Sequence, residues 1–464
     1  MTFTSMRRVP ILTTALTLFL PSARSASAQV VLSDSSILAI LTTRVDSGRT
    51  PGIVVGILER GQRRYVAYGS AGSGRTRLDE HTLFEIGSMS KTFTGLLLAD
   101  AVTRGEVRLD QPVAELLPAG AVVPSKKGKP ITLEQLSTHR SGLPRVPANL
   151  APVNPADPYA GYDAKQLHAF LATYVLPRTP GDSAEYSNLG AGLLGHALAL
   201  RAGMPSWGEM VERRITRPLG MRETFVDVPS SFLNRVATGH DDKSNAVAAW
   251  HFDALAGAGA LRSTAADMLT YLATEFDTTR GPLGNATAFG RAPRADFSPG
   301  MRIALGWMII GPPTQPVWWH NGGTGGFRSF AAFDPAREVA VVVLANSAIS
   351  VDDIGMHLMN PQVKLAMPIL PPREKVTLSA TALDRLVGEY PLTPTLLLTV
   401  TRDGDALYAQ ATGQSRFPLT ATSASRFVFP AAAIEMEFHL GESGPARELT
   451  FRQGGGAITV PRRP

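Results

Sequence analysis

Residues 84–91 read Phe84-Glu85-Ile86-Gly87-Ser88-Met89-Ser90-Lys91. Ser88 and Lys91 stand three residues apart, so on a helix both side chains leave the same face. A serine hydroxyl is a weak nucleophile until a neighbouring base takes its proton. A lysine one turn away, kept dry enough to lose its charge, can be that base. Gly87 lets backbone approach a ligand closely, and a helix start adds positive potential where an oxyanion would develop. The continuation Thr92-Phe93-Thr94-Gly95-Leu96-Leu97-Leu98-Ala99 is apolar enough to be buried, which would hold the serine rigidly. A bare Ser-x-x-Lys arises by chance about once in a chain of this length, so partners elsewhere must decide.

Two partners follow in order. Gly181-Asp182-Ser183-Ala184-Glu185-Tyr186-Ser187-Asn188 precedes a small, apolar run, Leu189–Gly195. Tyr186 and Asn188, two apart on a turn into a buried helix, can aim a phenol and an amide into one cleft. The phenol can shuttle a proton and the amide can hold a substrate amide. Later, Trp319-His320-Asn321-Gly322-Gly323-Thr324-Gly325-Gly326-Phe327 lies between the β-rich runs Trp307–Ile310 and Ser329–Phe333. Its glycines would let a strand edge lie against a substrate and offer backbone N–H groups to an oxyanion.

With these three stretches the sequence resembles the serine β-lactamase and penicillin-binding superfamily, class C β-lactamases most closely. Ser88-Met89-Ser90-Lys91 looks like the first family motif and Tyr186-Ser187-Asn188 like the second. His320-Asn321-Gly322 stands where the third, usually Lys-Thr-Gly, is found. Further landmarks are Leu136–Pro144, Pro218–Met221 and Gly259–Asp267, and the likeness spans about residues 35–368.

The resemblance implies a fold and roles. The fold is α/β (α+β): an antiparallel sheet flanked by helices, with a helical region inserted. Ser88 would attack a strained or activated amide to give an acyl-enzyme, with Lys91 and Tyr186 as the proton-transfer pair. Asn188, Asn321 and Gly322 would orient substrate, His320 would bias the pocket toward a carboxylate, and the N–H groups of Ser88 and Gly323 would form the oxyanion hole. No metal or organic cofactor is implied. The chain departs from the family at the third motif, where His320 replaces lysine and Asn321 threonine. A neutral imidazole supplies less charge than an ammonium. The departure widens the substrate question and leaves the serine-hydrolase reading intact: the resemblance implies β-lactam hydrolysis as the leading activity, with D-amino-acid peptidase (DD-carboxypeptidase-like) or esterase action as the alternative. A non-catalytic, penicillin-binding-like scaffold would not need Ser88, Lys91, Tyr186 and Asn188 together.

Composition agrees. Of 464 residues, 44% are hydrophobic and 18% charged, an ordinary globular balance. The formal charge of +6 includes Arg7, Arg8 and Arg24, and is too mild to argue for nucleic acid. With no cysteine, the chain has no disulfide framework and no lipoprotein anchor. There is no Gly-x-Ser-x-Gly elbow, no His-Glu-x-x-His and no phosphate-binding loop. Residues 1–28 read as a secretory signal: Arg7 and Arg8, an apolar stretch from Val9 to Leu20, then Ala26-Ser27-Ala28 before a cut at Gln29. The expectation is a periplasmic or secreted bacterial enzyme, acting on a small β-lactam, peptide or ester, with no span in the mature chain.

The catalytic region is expected over 29–368. It would begin with a helix near 36–48 and a hairpin of 53–58 with 64–68. Strands would return over 302–346, and a helix at 352–367 would close it. Residues 369–374, with Leu370-Pro371-Pro372, read as a linker. Residues 375–464 read as a small antiparallel β (lipocalin-like) domain, with a hairpin of 396–400 and 406–409 and runs at 426–429, 434–440 and 447–452. Packing, oligomerisation or limiting access suits it better than chemistry, because nothing in it has catalytic spacing.

Overall fold

The computed structural model describes residues 31–463 apart from 49, 73–76, 279–280, 282, 367–375, 394–395, 413, 415, 430–433 and 454–455. The expected signal segment and linker lie outside the described residues. No helix among the described residues is long and apolar enough to cross a membrane.

The hairpin of β1 (Gly52–Glu59) and β2 (Gln62–Gly69) turns on Arg60 and Gly61, both at positive φ (49° and 78°). That two-residue turn matches the twist of the flanking strands. After a short pair of β3 (Phe84–Glu85) and β4 (Arg262–Ser263), six strands complete the large sheet. They are β5 (Ala295–Ser298), β6 (Met301–Ile303), β7 (Met308–Ile310), β8 (Val317–Gly323), β9 (Arg328–Asp334) and β10 (Val339–Ala345), the last lying between β1 and β9. The order is β2-β1-β10-β9-β8-β7-β6-β5, antiparallel throughout. β1 and β10 read as near-continuous apolar runs because both their faces are covered.

One face carries Ile53, Val55, Ile57, Val341 and Val343 under Ile37 and Leu41 of α1 (Asp34–Asp46) and Ile354 and Leu358 of the helix Asp352–Met359. The other face carries Val54, Leu58, Val342 and Leu344 and joins the core of the inserted region. That region contains α2 (Ser90–Thr103), α3 (Leu133–Ser137), α4 (Ala164–Thr173) and α5 (Asn188–Arg201). The period-2 alternation along β1 thus sorts its side chains between two cores. The closing helix is shorter than the expected 352–367. It ends where Asn360 turns extended (φ −145°, ψ 104°) ahead of Pro361, whose ring disfavours helix at the preceding residue.

The C-terminal region is a meander in sequence order: β11 (Gly388–Thr393), β12 (Leu396–Asp403), β13 (Ala406–Ala411), β14 (Phe417–Ala421), β15 (Arg426–Phe429), β16 (Ile434–His439), β17 (Glu448–Gln453) and β18 (Gly456–Pro461). It has its own core around Tyr390, Leu398, Phe427, Met436 and Phe438. Arg463 N donates to Glu389 O at 2.8 Å, so the two ends meet and the sheet nearly closes into a barrel. β11 and β14 were not foreseen because each contains a proline, Pro391 and Pro418, which argues against a strand on sequence grounds.

Candidate active site

Ser88 lies in a single 3-10 turn, Gly87–Met89, that runs straight into α2. Gly87 has φ +49°, and a Cβ there would fall 2.7 Å from Gly323 N, so only glycine lets the nucleophile turn lie against the end of β8. This contact brings the Ser88 and Gly323 backbones together. Gly322 is buried against the same turn, where a Cβ would meet Ile86 O at 1.9 Å. Helix α2 is buried from Ser90 to Ala101 and is bound to the 257–261 segment by three bonds. Thr94 Oγ1 donates to Gly257 O at 2.8 Å, Leu261 N donates to Ser90 Oγ at 3.1 Å, and Lys91 Nζ donates to Ala258 O at 2.7 Å.

Lys91 Nζ also donates to Ser88 Oγ at 2.9 Å. Burial, then the positive charge of Arg145, pull the Lys91 pKa well below that of an ordinary lysine. The Tyr186 ring lies 4.8 Å from Nζ, and its hydroxyl hydrogen-bonds Ser88. Burial pushes the Tyr186 phenol up to about 12, against the opposing pull of Ser88 and Arg145. Ser88, Lys91 and Tyr186 therefore share one hydrogen-bonded cluster, with an amine poised to be neutral and a phenol that keeps its proton.

Asn188 is the first residue of α5, whose start is capped by Ser187 Oγ accepting from Gly190 N at 2.8 Å. Asn188 Nδ2 donates to Tyr159 Oη at 2.8 Å, which leaves its buried Oδ1 without a partner and open to a donor. His320 is 2% exposed and 6.4 Å from Tyr186, ring centre to ring centre. Its Nδ1 donates to Asn321 O at 2.5 Å, and its buried Nε2 has no partner. Burial first, then the charge of Lys91, push its pKa down to about 3. The imidazole is therefore neutral, and it offers a lone pair rather than the charge expected of it toward a carboxylate. Strand alternation turns Asn321 the other way, where Nδ2 donates to Asp352 Oδ2 at 2.6 Å. Its amide nitrogen is thus engaged away from Ser88, unlike the substrate-facing amide expected from the motif.

Four residues were not singled out from sequence. His139, 2% exposed, packs on Tyr186 (4.4 Å between ring centres), and its Nδ1 accepts from Ser187 N at 3.2 Å. It stands just beyond α3 in the left-handed conformation (φ +59°), where glycine is the usual occupant. Tyr159 holds Asn188. Trp250 N donates to Glu85 Oε1 at 2.8 Å, beside the buried Glu85–Arg262 pair, and its ring packs near Tyr159. Arg145 lies one residue past the Leu136–Pro144 landmark; its guanidinium sits 5.0 Å over the Tyr186 ring. His139 lies inside that landmark and Arg145 just past it, whereas Tyr159 and Trp250 had no nearby sequence signal.

The sequence pattern of the Beta-lactamase family matches residues 37–358, and that of a domain of unknown function (DUF3471) matches residues 372–459. The chain belongs to the β-lactamase family, serine hydrolases of this fold. It is 31% identical over 326 residues to the D-alanyl-D-alanine-carboxypeptidase/endopeptidase AmpH of Escherichia coli (strain K12), covering 66% of this chain and 81% of that protein. It is 28% identical over 344 residues to a Beta-lactamase of the same strain, covering 66% and 86%. The crystal structure of a class C beta lactamase from Rhodobacter sphaeroides superposes with a TM-score of 0.59 at 29% identity, over 68% of this chain and 93% of that one.

Proposed function

We propose that this chain is an exported β-lactamase that opens the lactam ring through a Ser88 acyl-enzyme. The observation that carries the reading is the 2.9 Å contact between Ser88 Oγ and a Lys91 amine whose pKa is depressed. With Lys91 neutral, the direction of that hydrogen bond reverses and Nζ takes the hydroxyl proton as Oγ bonds to the carbonyl carbon. The Ser88 and Gly323 N–H groups receive the oxyanion, and each such donor is worth about 3 kcal/mol in the transition state. When the tetrahedral intermediate collapses, the C–N bond breaks. Tyr186 passes its proton to the leaving nitrogen and regains one from Lys91. Its high pKa suits a proton relay better than a resting phenolate base. Water then cleaves the ester and restores Ser88. Asn188 Oδ1 accepts an N–H of the substrate's acyl part, and Gly322 lets β8 lie close to the nucleophile turn.

The second reading, a DD-carboxypeptidase-like peptidase, is favoured by the 31% identity to AmpH and by the neutral His320 in place of lysine. Parallel kinetics on nitrocefin, a D-Ala-D-Ala peptide and a short-chain p-nitrophenyl ester separate them. Turnover of nitrocefin with the highest efficiency of the three supports the β-lactamase. A slowly cleared β-lactam adduct with rapid peptide turnover replaces it with the peptidase.

A further inference from the structure

Three cations lie around the nucleophile and the end of β8. Lys91 is held between Ser88 Oγ and Ala258 O. Arg328 donates to Thr324 O and Phe327 O, both at 2.9 Å, and feels the carboxylates of Asp352 and Asp242. Arg145 differs from both. Its backbone is fixed, because Arg145 O accepts the first amides of α5, from Asn188 N at 2.9 Å and Leu189 N at 3.2 Å. Its side chain is exposed, and among the described residues no carboxylate pairs with it. The guanidinium nevertheless stays 5.0 Å over the Tyr186 ring, close enough for its charge to act on Lys91, His139, Tyr159 and Tyr186. A cation–π contact positions it without neutralising it.

Tyr186 is the group that, on the reading above, hands a proton to the leaving nitrogen. On that reading, a cation held 5.0 Å over the same ring is within reach of a charge carried by the leaving group. On β8, His320 sits where the third motif usually has lysine, and its ring is buried with Nδ1 committed to Asn321 O. We propose that Arg145 is a specificity-determining residue that receives a carboxylate on the leaving-group side of the scissile amide, so that the site's fixed charge stands on the 139–147 loop and not on β8. Arginine suits the task, since its planar fork binds a carboxylate through two parallel N–H bonds and cannot lose its charge.

This inference rests on the serine-hydrolase reading. Its test compares pairs of probes that differ only in that charge: benzylpenicillin with its methyl ester, and an N-acyl-D-Ala-D-Ala peptide with its C-terminal amide. Acylation or turnover efficiency is measured for wild type, Arg145→Gln and Arg145→Lys, each checked for folding by circular dichroism. The charged-to-neutral efficiency ratio should fall about tenfold in Arg145→Gln, the loss of about 1.4 kcal/mol of selective binding, and Arg145→Lys should recover most of it. Raising salt should weaken the preference in wild type and leave the glutamine variant nearly flat. A folded Arg145→Gln protein with an unchanged ratio overturns the role of Arg145 and leaves the hydrolase standing. A wild type inert toward all four probes overturns the hydrolase, and the inference with it.

Discussion

His320 Nδ1 donates to the carbonyl oxygen of Asn321, 2.5 Å away, which turns the other ring nitrogen toward the site as a bare acceptor. A histidine in an unfolded chain takes up its proton near pH 6.5, whereas His320 in the folded chain does so only near pH 3. Between those values the unfolded state binds the extra proton, so stability falls as pH is lowered through 6.5. The slope approaches about 1.4 kcal/mol per pH unit for this histidine. Buried His139, lowered in the same direction, adds to it. Urea unfolding at pH 7, 6 and 5 should show a shallower loss for His320→Gln than for wild type. Parallel pH dependences would mean that His320 is not held neutral by the fold.

Lys91 and Tyr186 act on one proton in this account. Lys91→Met should slow acylation by about 10²–10⁴-fold and abolish the rise of rate with pH on the acid limb, which reports Lys91 becoming neutral. Tyr186→Phe should slow it as well, and the double mutant should be little worse than the poorer single one. Single-turnover acylation rates across pH check this. If the two penalties simply multiply, the residues act independently.

A phenol that keeps its proton to about pH 12 matters most when the leaving group needs that proton. Tyr186→Phe should therefore cost at least about tenfold more on an amide or β-lactam than on a p-nitrophenyl ester, whose phenolate departs unaided. Equal losses on both substrates, read from kcat/KM, would assign Tyr186 to serine activation instead.

Gly322→Ala places a methyl group 1.9 Å from Ile86 O and 2.4 Å from Ser329 Oγ, backbone and buried side chain that have little room to move. Overpacking of this kind costs about 1–3 kcal/mol. Because the strain falls on the turn that carries Ser88, activity should fall more steeply than stability. Thermal unfolding together with acylation rate tests this, and a variant unchanged in both would contradict the packing described.

The nucleophile turn, its lysine, the Tyr-Ser-Asn turn and the His-Asn-Gly strand were legible because each is a short local pattern whose spacing sets side-chain direction. The hairpin at Arg60-Gly61 and the apolar β10 were legible for the same reason. Arg145, Tyr159 and Trp250 were not: each lies on a loop whose path is set by distant contacts, such as Asn188 N to Arg145 O or Trp250 N to Glu85 Oε1. The outward turn of Asn321 toward Asp352 was hidden too, since it needs the helix Asp352–Met359 to be placed beside β8. Pro391 and Pro418 masked two strands that the meander tolerates.

The roles proposed for Lys91, Tyr186 and Arg145 all depend on Ser88 forming a covalent acyl-enzyme. Intact-mass spectrometry after brief exposure to a penicillin, followed by peptide mapping, tests it most directly. One added penicillin is expected on the peptide containing Ser88 in the wild type, with no adduct and no turnover in a folded Ser88→Ala protein. An adduct mapped to another residue, or near-normal turnover by Ser88→Ala, would contradict it.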